Sequence, residues 1–238
     1  MSGHSKWATI KHKKAKEDNK RGKVFTKLVR EITVAARDGG GDPEGNPRLR
    51  LILEKAKAVN MPAENITRAI KKGTGELGGE AYAPHTYEGY GPHGTAVIVE
   101  TLSDNKNRTV SDLRHVFTKM HGNLAEGGAV AWMFEHKGVV RGTSEKSEDT
   151  ILEKLLSVDI DDLSKHDDSV VVTCEIHHLE EVKKAAQEAG VKVEQAQFEW
   201  VAKNTLALDD EETEEQVFKM LEALEDLDDV QNVYTNLA

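Results

Sequence analysis

Ten of the first thirty residues are cationic: Lys6, Lys11, Lys13, Lys14, Lys16, Lys20, Arg21, Lys23, Lys27 and Arg30. Only Glu17 and Asp18 oppose them. Ammonium and guanidinium groups at this density attract phosphates, and release of the condensed counterions drives the association. Trp7 and His12 sit among the cations and offer flat faces on which bases can stack. The chemistry is noncovalent recognition of a polyanion. A solvated tail that touches nothing is the competing reading. The local concentration of charge, and its continuation into an amphipathic helix, favour binding. Lys6, Trp7, Lys11, His12, Lys13, Lys14, Lys16, Lys20, Arg21 and Lys23 are therefore the candidate nucleic-acid contacts.

Other constellations that could do chemistry are weaker. Gly73 to Gly78 (GTGELG) matches a dinucleotide fingerprint in letters, but a helix precedes it and a loop follows, the reverse of what that fingerprint needs. Cys174 alternates with Val170, Val172 and Ile176 and reads as a core residue. His177-His178 ends an expected strand with side chains on opposite faces, poor geometry for a metal. No nucleophile elbow, metal spacing or carboxylate pair appears, so the expectation is no catalytic residue, no metal, no cofactor and no small-molecule substrate. Tyr87 to Gly94 (YEGYGPHG) reads equally as a stacking loop or a hairpin. Tyr87, Tyr90 and Arg108 are candidate secondary contacts, with Asn107 the expected cap of the helix that carries Arg108.

These residues need elements to position them. Val24, Leu28, Ile32, Ala35 and Ala36 form a helical stripe that stops at Gly39-Gly40-Gly41. Asn46-Pro47 opens a second helix with Leu49, Ile52, Leu53 and Ala56 inside. Met61-Pro62 separates it from a third, with Ile66, Ala69 and Ile70 inside and Gly73 as the C′ residue. Beyond a glycine-rich linker at 73–84, the pattern becomes strand–helix–strand. Thr95–Leu102 and Ala129–Phe134 flank a helix marked by Val110, Leu113, Phe117 and Met120. Thr205–Leu208 and Val230–Thr235 flank another, marked by Val217, Met220, Leu221 and Leu224. Between these units, 137–203 has its own strands and helices. The expected fold is α+β and multidomain: a three-helix N-terminal domain and two ferredoxin-like domains, one inserted in the other. The expected boundaries are 1–78, 79–136 with 204–238, and 137–203.

Charge is segregated along this plan. Residues 1–72 hold 18 Lys and Arg against 8 Asp and Glu, whereas the rest holds 14 against 34. A polyanion-binding module on an acidic body fits this asymmetry, which solubility alone does not require. A single cysteine gives no sign of an oxidising compartment, no apolar run approaches a membrane span, and no secretory signal is seen. A cytoplasmic protein with no membrane partner is expected. The oligomeric state is not legible.

Ser2 to Ile32, Gly39 to Arg50, Tyr87 to Gly94, Ser103 to Asp112 (SDNKNRTVSD), Gly122 to Phe134 (GNLAEGGAVAWMF) and Asp228 to Asn236 (DDVQNVYTN) closely resemble the YebC/PmpR family. The resemblance spans essentially the whole chain. It implies a helical N-terminal domain and two α+β domains, one inserted in the other, and no enzymatic activity. It implies a cytoplasmic transcriptional regulator that binds DNA; related mitochondrial translational activators act on the ribosome and help it through proline runs. The family's basic motif maps onto Lys6, Lys11, Lys13, Lys14, Lys16, Lys20, Arg21 and Lys23. His93, His121 and Ala125 stand where the family pattern has glycine.

Two readings follow: a DNA-binding transcriptional regulator, and a ribosome-associated translation factor that binds ribosomal RNA. The sequence shows no helix-turn-helix or other base-reading signature, so readout of base sequence is expected to be weak. A nuclease and a protein-only docking module are further alternatives from other classes; the first lacks any catalytic constellation. Residues 1–20 have few apolar anchors besides Trp7 and Ile10 and are expected to be mobile when unbound.

Overall fold

Leu28, Ile32 and Ala35 recur on one side of α1 (Arg21–Gly39), and all three are buried. The computed structural model describes residues 21–78, 81–208 and 210–238. The expected mobility of 1–20 concerns residues outside that set. Helix α1 ends where Gly40 takes a φ of +86°. Asn46 then caps α2 (Pro47–Ala58): its side-chain oxygen accepts from the Leu49 amide, while its Nδ2 donates to Ala35 and Gly40 carbonyls. One buried amide thus closes the end of α1 and the start of α2 together. Helix α3 (Ala63–Gly73) adds Ala69, and Leu49, Ile52, Ala56 and Met61 complete the core of the three helices. Gly73 is not the left-handed C′ residue expected; Gly75 is, at φ +84°. Gly73 is small for another reason: a Cβ there would sit 2.4 Å from the Thr33 carbonyl oxygen and 2.8 Å from the Ala36 Cβ, so α1 and α3 touch backbone to backbone.

The chain divides into two compact units, one ending at Val130 and resuming at Leu208–Thr235, the other comprising Ala131–Ala207 with Asn236–Ala238. The first holds the three helices and an antiparallel sheet in the order β3-β1-β2-β8: β1 (Ala83–Tyr90), β2 (Ala96–Ser103), β3 (Asn123–Ala125) and β8 (Val230–Thr235). Helix α4 (Lys106–Lys119) links β2 to β3, and α7 (Glu211–Glu225) precedes β8. These two helices bury Leu113, Val116 and Phe117, and Val217, Met220, Leu221 and Leu224. Of the two readings of 87–94, the structure takes the hairpin, with a turn at Pro92–Gly94. The cap of α4 is Asn105, not Asn107; its side chain accepts from the Arg108 amide.

His93 and His121 have φ of 59° and 61°. That left-handed conformation favours glycine, although histidine tolerates it better than most. Ala125 lies in extended β3. His121 is exposed, so His121→Gly is expected to stabilise by a few tenths to ~1 kcal/mol, strain relief being partly offset by a looser unfolded chain. Urea unfolding reads this directly; a lower midpoint contradicts it.

The second unit contains β4 (Phe134–Thr143), α5 (Glu148–Leu155), β5 (Asp162–His166), β6 (Ser169–Cys174), α6 (Leu179–Glu188) and β7 (Lys192–Ala202). Its antiparallel sheet runs β5-β6-β4-β7. Val140, Val170, Val172 and Cys174 from the sheet pack against Ile151, Leu155, Val182 and Ala186 from the helices. Cys174 is a core residue as expected, and burial pushes its thiol up to about 11.

Three expectations fail in this unit. The run Ala129–Phe134 is not a strand: Ala131–Met133 is a 3₁₀ turn and pairing starts at Phe134. Trp132 is 67% exposed, so its apolar neighbours mimic a buried strand only in composition. Thr205–Leu208 forms a single bridge, Leu206 to Leu237, because no partner ladder lies beside it. Ile176–His178 is a 3₁₀ turn that brings the two histidine rings edge to face at 4.0 Å, rather than to opposite sides of a strand. β5 escapes sequence reading because Asp162–His166 has one apolar residue, Leu163; it is a strand because β6 offers its ladder.

Candidate nucleic-acid interface

Lys23, Arg30 and Arg37 recur every seven residues of α1 and so share one face, about 20° of drift per repeat. The structure uses all three inside the unit. Lys23 Nζ meets Asp226 Oδ1 at 2.9 Å, with both side chains nearly half exposed. Arg37 donates to the Tyr82 carbonyl at 2.5 Å and pairs with Asp38 at 2.9 Å. Arg30 is buried: Nη1 lies 2.7 Å from Asp229 Oδ1 and donates to the Leu102 carbonyl at 3.0 Å and to the Asp228 carbonyl. Tyr82 lies under both Arg30 and Lys72, whose cations are 5.4 and 4.1 Å from its ring centroid.

Asp229 is the hub of this arrangement. Besides Arg30 it accepts from Ser103 Oγ at 2.9 Å, Thr109 Oγ1 at 2.7 Å and Arg108 Nη2 at 3.0 Å. Burial alone would raise its carboxyl. The hydrogen bonds from Thr109, Arg108 and Ser103, with the Arg30 charge, outweigh burial and hold it below the usual carboxylate range. Helix α1 is thereby fastened to the β2–α4 corner and to the turn before β8. Neither Arg30 as an anchor nor Asp229 as its partner is visible in sequence, because they stand 199 positions apart; only the acidic triplet Asp226, Asp228, Asp229 hints at it.

Of the candidate contacts, Lys6, Trp7, Lys11, His12, Lys13, Lys14, Lys16 and Lys20 lie outside the described residues. Arg21 opens α1, and Lys23 is the one whose side chain can be placed, against Asp226. The secondary contacts are not brought together. Tyr87 and Tyr90 are three residues apart on β1 and face opposite sides. Tyr87 is half-buried, its phenol raised by burial and then by the Asp229 charge; Tyr90 is exposed and donates to the Ala129 carbonyl. Arg108 spends Nη2 on Asp104 and Asp229. Exposed cations remain on the helices at Arg48, Arg50, Lys55, Lys57, Arg68 and Lys71. Arg50 turns back to the carbonyls of Pro43 and Glu44.

Among the described residues no group of three His, Cys, Asp or Glu side chains could hold a metal ion, and no helix is long and apolar enough to cross a membrane.

The chain matches two family descriptions end to end: the TACO1/YebC N-terminal domain over residues 5–76, and the TACO1/YebC second and third domain over 82–237. Proteins from Persephonella marina and Desulfosudis oleivorans, each named "Probable transcriptional regulatory protein", are 52% identical over 99% of this chain and 95% and 96% of their own lengths. A namesake from Chlorobium chlorochromatii is 52% identical over all of this chain and 95% of its own. The crystal structure of a conserved hypothetical protein from Aquifex aeolicus superposes with a TM-score of 0.83 at 49% identity, covering 93% of this chain and 91% of that one. With helices, two antiparallel sheets and the basic first segment all falling inside these matches, the chain belongs to the TACO1/YebC family.

Proposed function

We propose that the protein is a noncatalytic, nucleic-acid-binding regulator of gene expression that works in the cytoplasm. The observation that carries this reading is charge segregation: 18 Lys and Arg against 8 Asp and Glu in residues 1–72, on a chain with a net charge of −10. Lys6, Lys11, Lys13, Lys14, Lys16, Lys20, Arg21 and Lys23 hold phosphates, and Trp7 and His12 stack on bases. Regulation of transcription, the role in the relatives' names, is the first form of this reading. In it the helical module, 1–78, is the binding domain. The two sheets are split βαβ, ferredoxin-like domains, 79–136 with 204–238 and 137–203, that orient it. The acidic body limits nonspecific binding on its own side through like-charge repulsion.

The lack of a base-reading motif favours a second form, in which the protein reads the shape of ribosomal RNA and acts on translation. Ribosome co-sedimentation set beside duplex-DNA binding separates the two. The same assays on a Lys13→Glu/Lys14→Glu/Lys16→Glu variant test the basic run itself. Wild-type affinity is expected to fall ~10³-fold or more between 50 and 200 mM salt, and the variant to bind far more weakly. Co-sedimentation with weak, nonspecific DNA binding selects the translation form; tight binding to a defined duplex without ribosomes selects the transcription form. A variant that changes neither interaction removes the basic run as the site.

A further inference from the structure

We propose that α2 and α3 form a helix-turn-helix, and that the exposed face of α3, with Glu64, Thr67, Arg68 and Lys71, reads base edges in the major groove of duplex DNA. The proposal rests on the transcription form of the reading above. It supplies what residue order lacks, a surface able to tell one base pair from another.

Only residues 59–62 separate the two helices. Asn60 turns the chain at φ +57°, a left-handed conformation that asparagine tolerates. Its amide donates to the Lys57 carbonyl, and the Met61 amide donates to the Ala56 carbonyl, both at 2.9 Å. The end of α2 is thus closed within the turn itself. Helix α3 begins at once, with the Asn65 amide donating to the Pro62 carbonyl at 3.0 Å. Both helices lie along α1 and hardly approach each other, so the connection is an open corner and not a hairpin. Two helices meeting in a corner across about three or four residues is the helix-turn-helix arrangement. Ala56 and Met61 are buried at the corner, and Ile66, Ala69 and Ile70 of α3 pack into the same core. Backbone contact between α1 and Gly73 fixes the far end of α3. Residue order conceals the corner because Asn60 stands where a glycine would announce it.

Glu64, Thr67, Arg68 and Lys71 recur at i, i+3, i+4, i+7 and share the face of α3 opposite Ile66, Ala69 and Ile70. All four are exposed. Glu64 and Arg68 have the four-residue spacing of a helix ion pair, yet no ion pair joins them, and Lys71 has none either among the described residues. Their neighbour Lys72 is engaged instead, over the Tyr82 ring. The open set has the chemistry of base edges. An arginine fork matches guanine O6 and N7, a glutamate accepts from cytosine N4, and a threonine methyl meets the thymine methyl. A helix ~10–12 Å across fits the ~12 Å major groove of B-form DNA, whereas the deep, narrow major groove of A-form RNA excludes it. In this arrangement the first helix crosses the phosphate backbone. Arg48, in the first turn of α2, is 60% exposed and only loosely paired, 3.4 Å from Asp38.

The test uses the full chain and a random-sequence duplex-DNA library, selected for binding and sequenced. Wild type is expected to enrich a short site containing guanine. The selected duplex should bind roughly 100-fold tighter than the unselected library, from two good base contacts at about tenfold each. Arg68→Gln is expected to exchange one guanine of that site for adenine, because glutamine pairs with adenine N6 and N7. Its urea midpoint should stay at the wild-type value, since Arg68 is exposed. The Lys13→Glu/Lys14→Glu/Lys16→Glu variant should instead weaken binding to every sequence alike, as phosphate contacts do. If wild type binds DNA but the library stays random, the N-terminal reading stands and α3 is not a reader. An enriched site that Arg68→Gln leaves unchanged, or weakens equally for all sequences, overturns the proposal too. So does tighter binding to duplex RNA of the selected sequence, which favours the translation form. If wild type binds no nucleic acid, the reading of α3 and the function it rests on fall together.

Discussion

Asp229→Ala is expected to destabilise the protein by about 3–5 kcal/mol, because it strands a buried cation. Arg30 is 7% exposed, and its guanidinium meets Asp229 at 2.7 Å. Without that carboxylate its hydrogen bonds are those to the Leu102 and Asp228 carbonyls, with the Tyr82 ring 5.4 Å away, while its Nε already has no hydrogen-bond partner. Ser103 Oγ and Thr109 Oγ1 lose their acceptor in the same step. Thermal unfolding should show the loss as a melting point lower by roughly 10 °C. Asp229→Asn keeps the shape and some hydrogen bonds and should fall between. An Arg30→Met/Asp229→Leu double variant should recover the part of the loss that comes from the stranded charge, while Ser103 and Thr109 stay without the acceptor they have in wild type. If Asp229→Ala melts within a degree of wild type, the hub does not hold α1.

The same carboxylate sets an acid limit. Its folded-state value lies below the ordinary 3.8, so its contribution is complete above pH 3.8 and is lost as pH falls through the folded value. Glu31 has the opposite sign. Burial raises it despite Lys55, Arg48 and Lys27, so its contribution is present below pH 4.5 and is lost as pH rises through its folded value. Wild type should therefore lose stability below pH 3.8 by a component that Asp229→Asn lacks, measurable as the difference between their urea midpoints along a pH series.

Phe117→Ala is the second large effect, at about 3–5 kcal/mol. Phe117 is fully buried in α4, and two glycines are shaped around its ring. A Cβ on Gly89 would come within 2.4 Å of the ring, and one on Gly122 within 3.2 Å. A site this tightly fitted on a strand and a turn collapses poorly when the ring is removed, so the cavity term is large. Phe117→Leu should cost less than half as much. Urea unfolding should show a lower midpoint with an unchanged slope, and nucleic-acid affinity should stay at the wild-type value wherever the variant is folded. A cost under 1 kcal/mol would mean that the core repacks around the gap.

Much of the molecule is legible in residue order because its causes are local. Helix α1 follows from a 3.6-residue stripe and a glycine stop, α2 from Asn46 and Pro47, β2 from a short apolar run rich in β-branched residues, and Cys174 from its place among alternating valines. Segregation of charge is likewise a property of order alone, and it already points to a polyanion. What misled sequence reading was composition without a partner. Ala129–Phe134 has the residues of a buried strand, yet Trp132 faces solvent; Asp162–His166 has few such residues, yet β6 makes it a strand. Gly73 looks like a helix stop and is instead the point where two helices touch.

The sequence by itself determined that the first segment is cationic, that it leads into a helix, and that the body is α+β. It could not determine which cations face a ligand. Lysine and arginine look alike along a chain whether they pair inward or outward, since a charge has no local periodic signature of its partner. Only the tertiary structure, by bringing Asp226 and Asp229 to α1, decided that Lys23 and Arg30 are bound inside. The exposed positions of Arg48 and Lys55 were decided in the same way, because the three-helix core had already claimed the opposite side of α2.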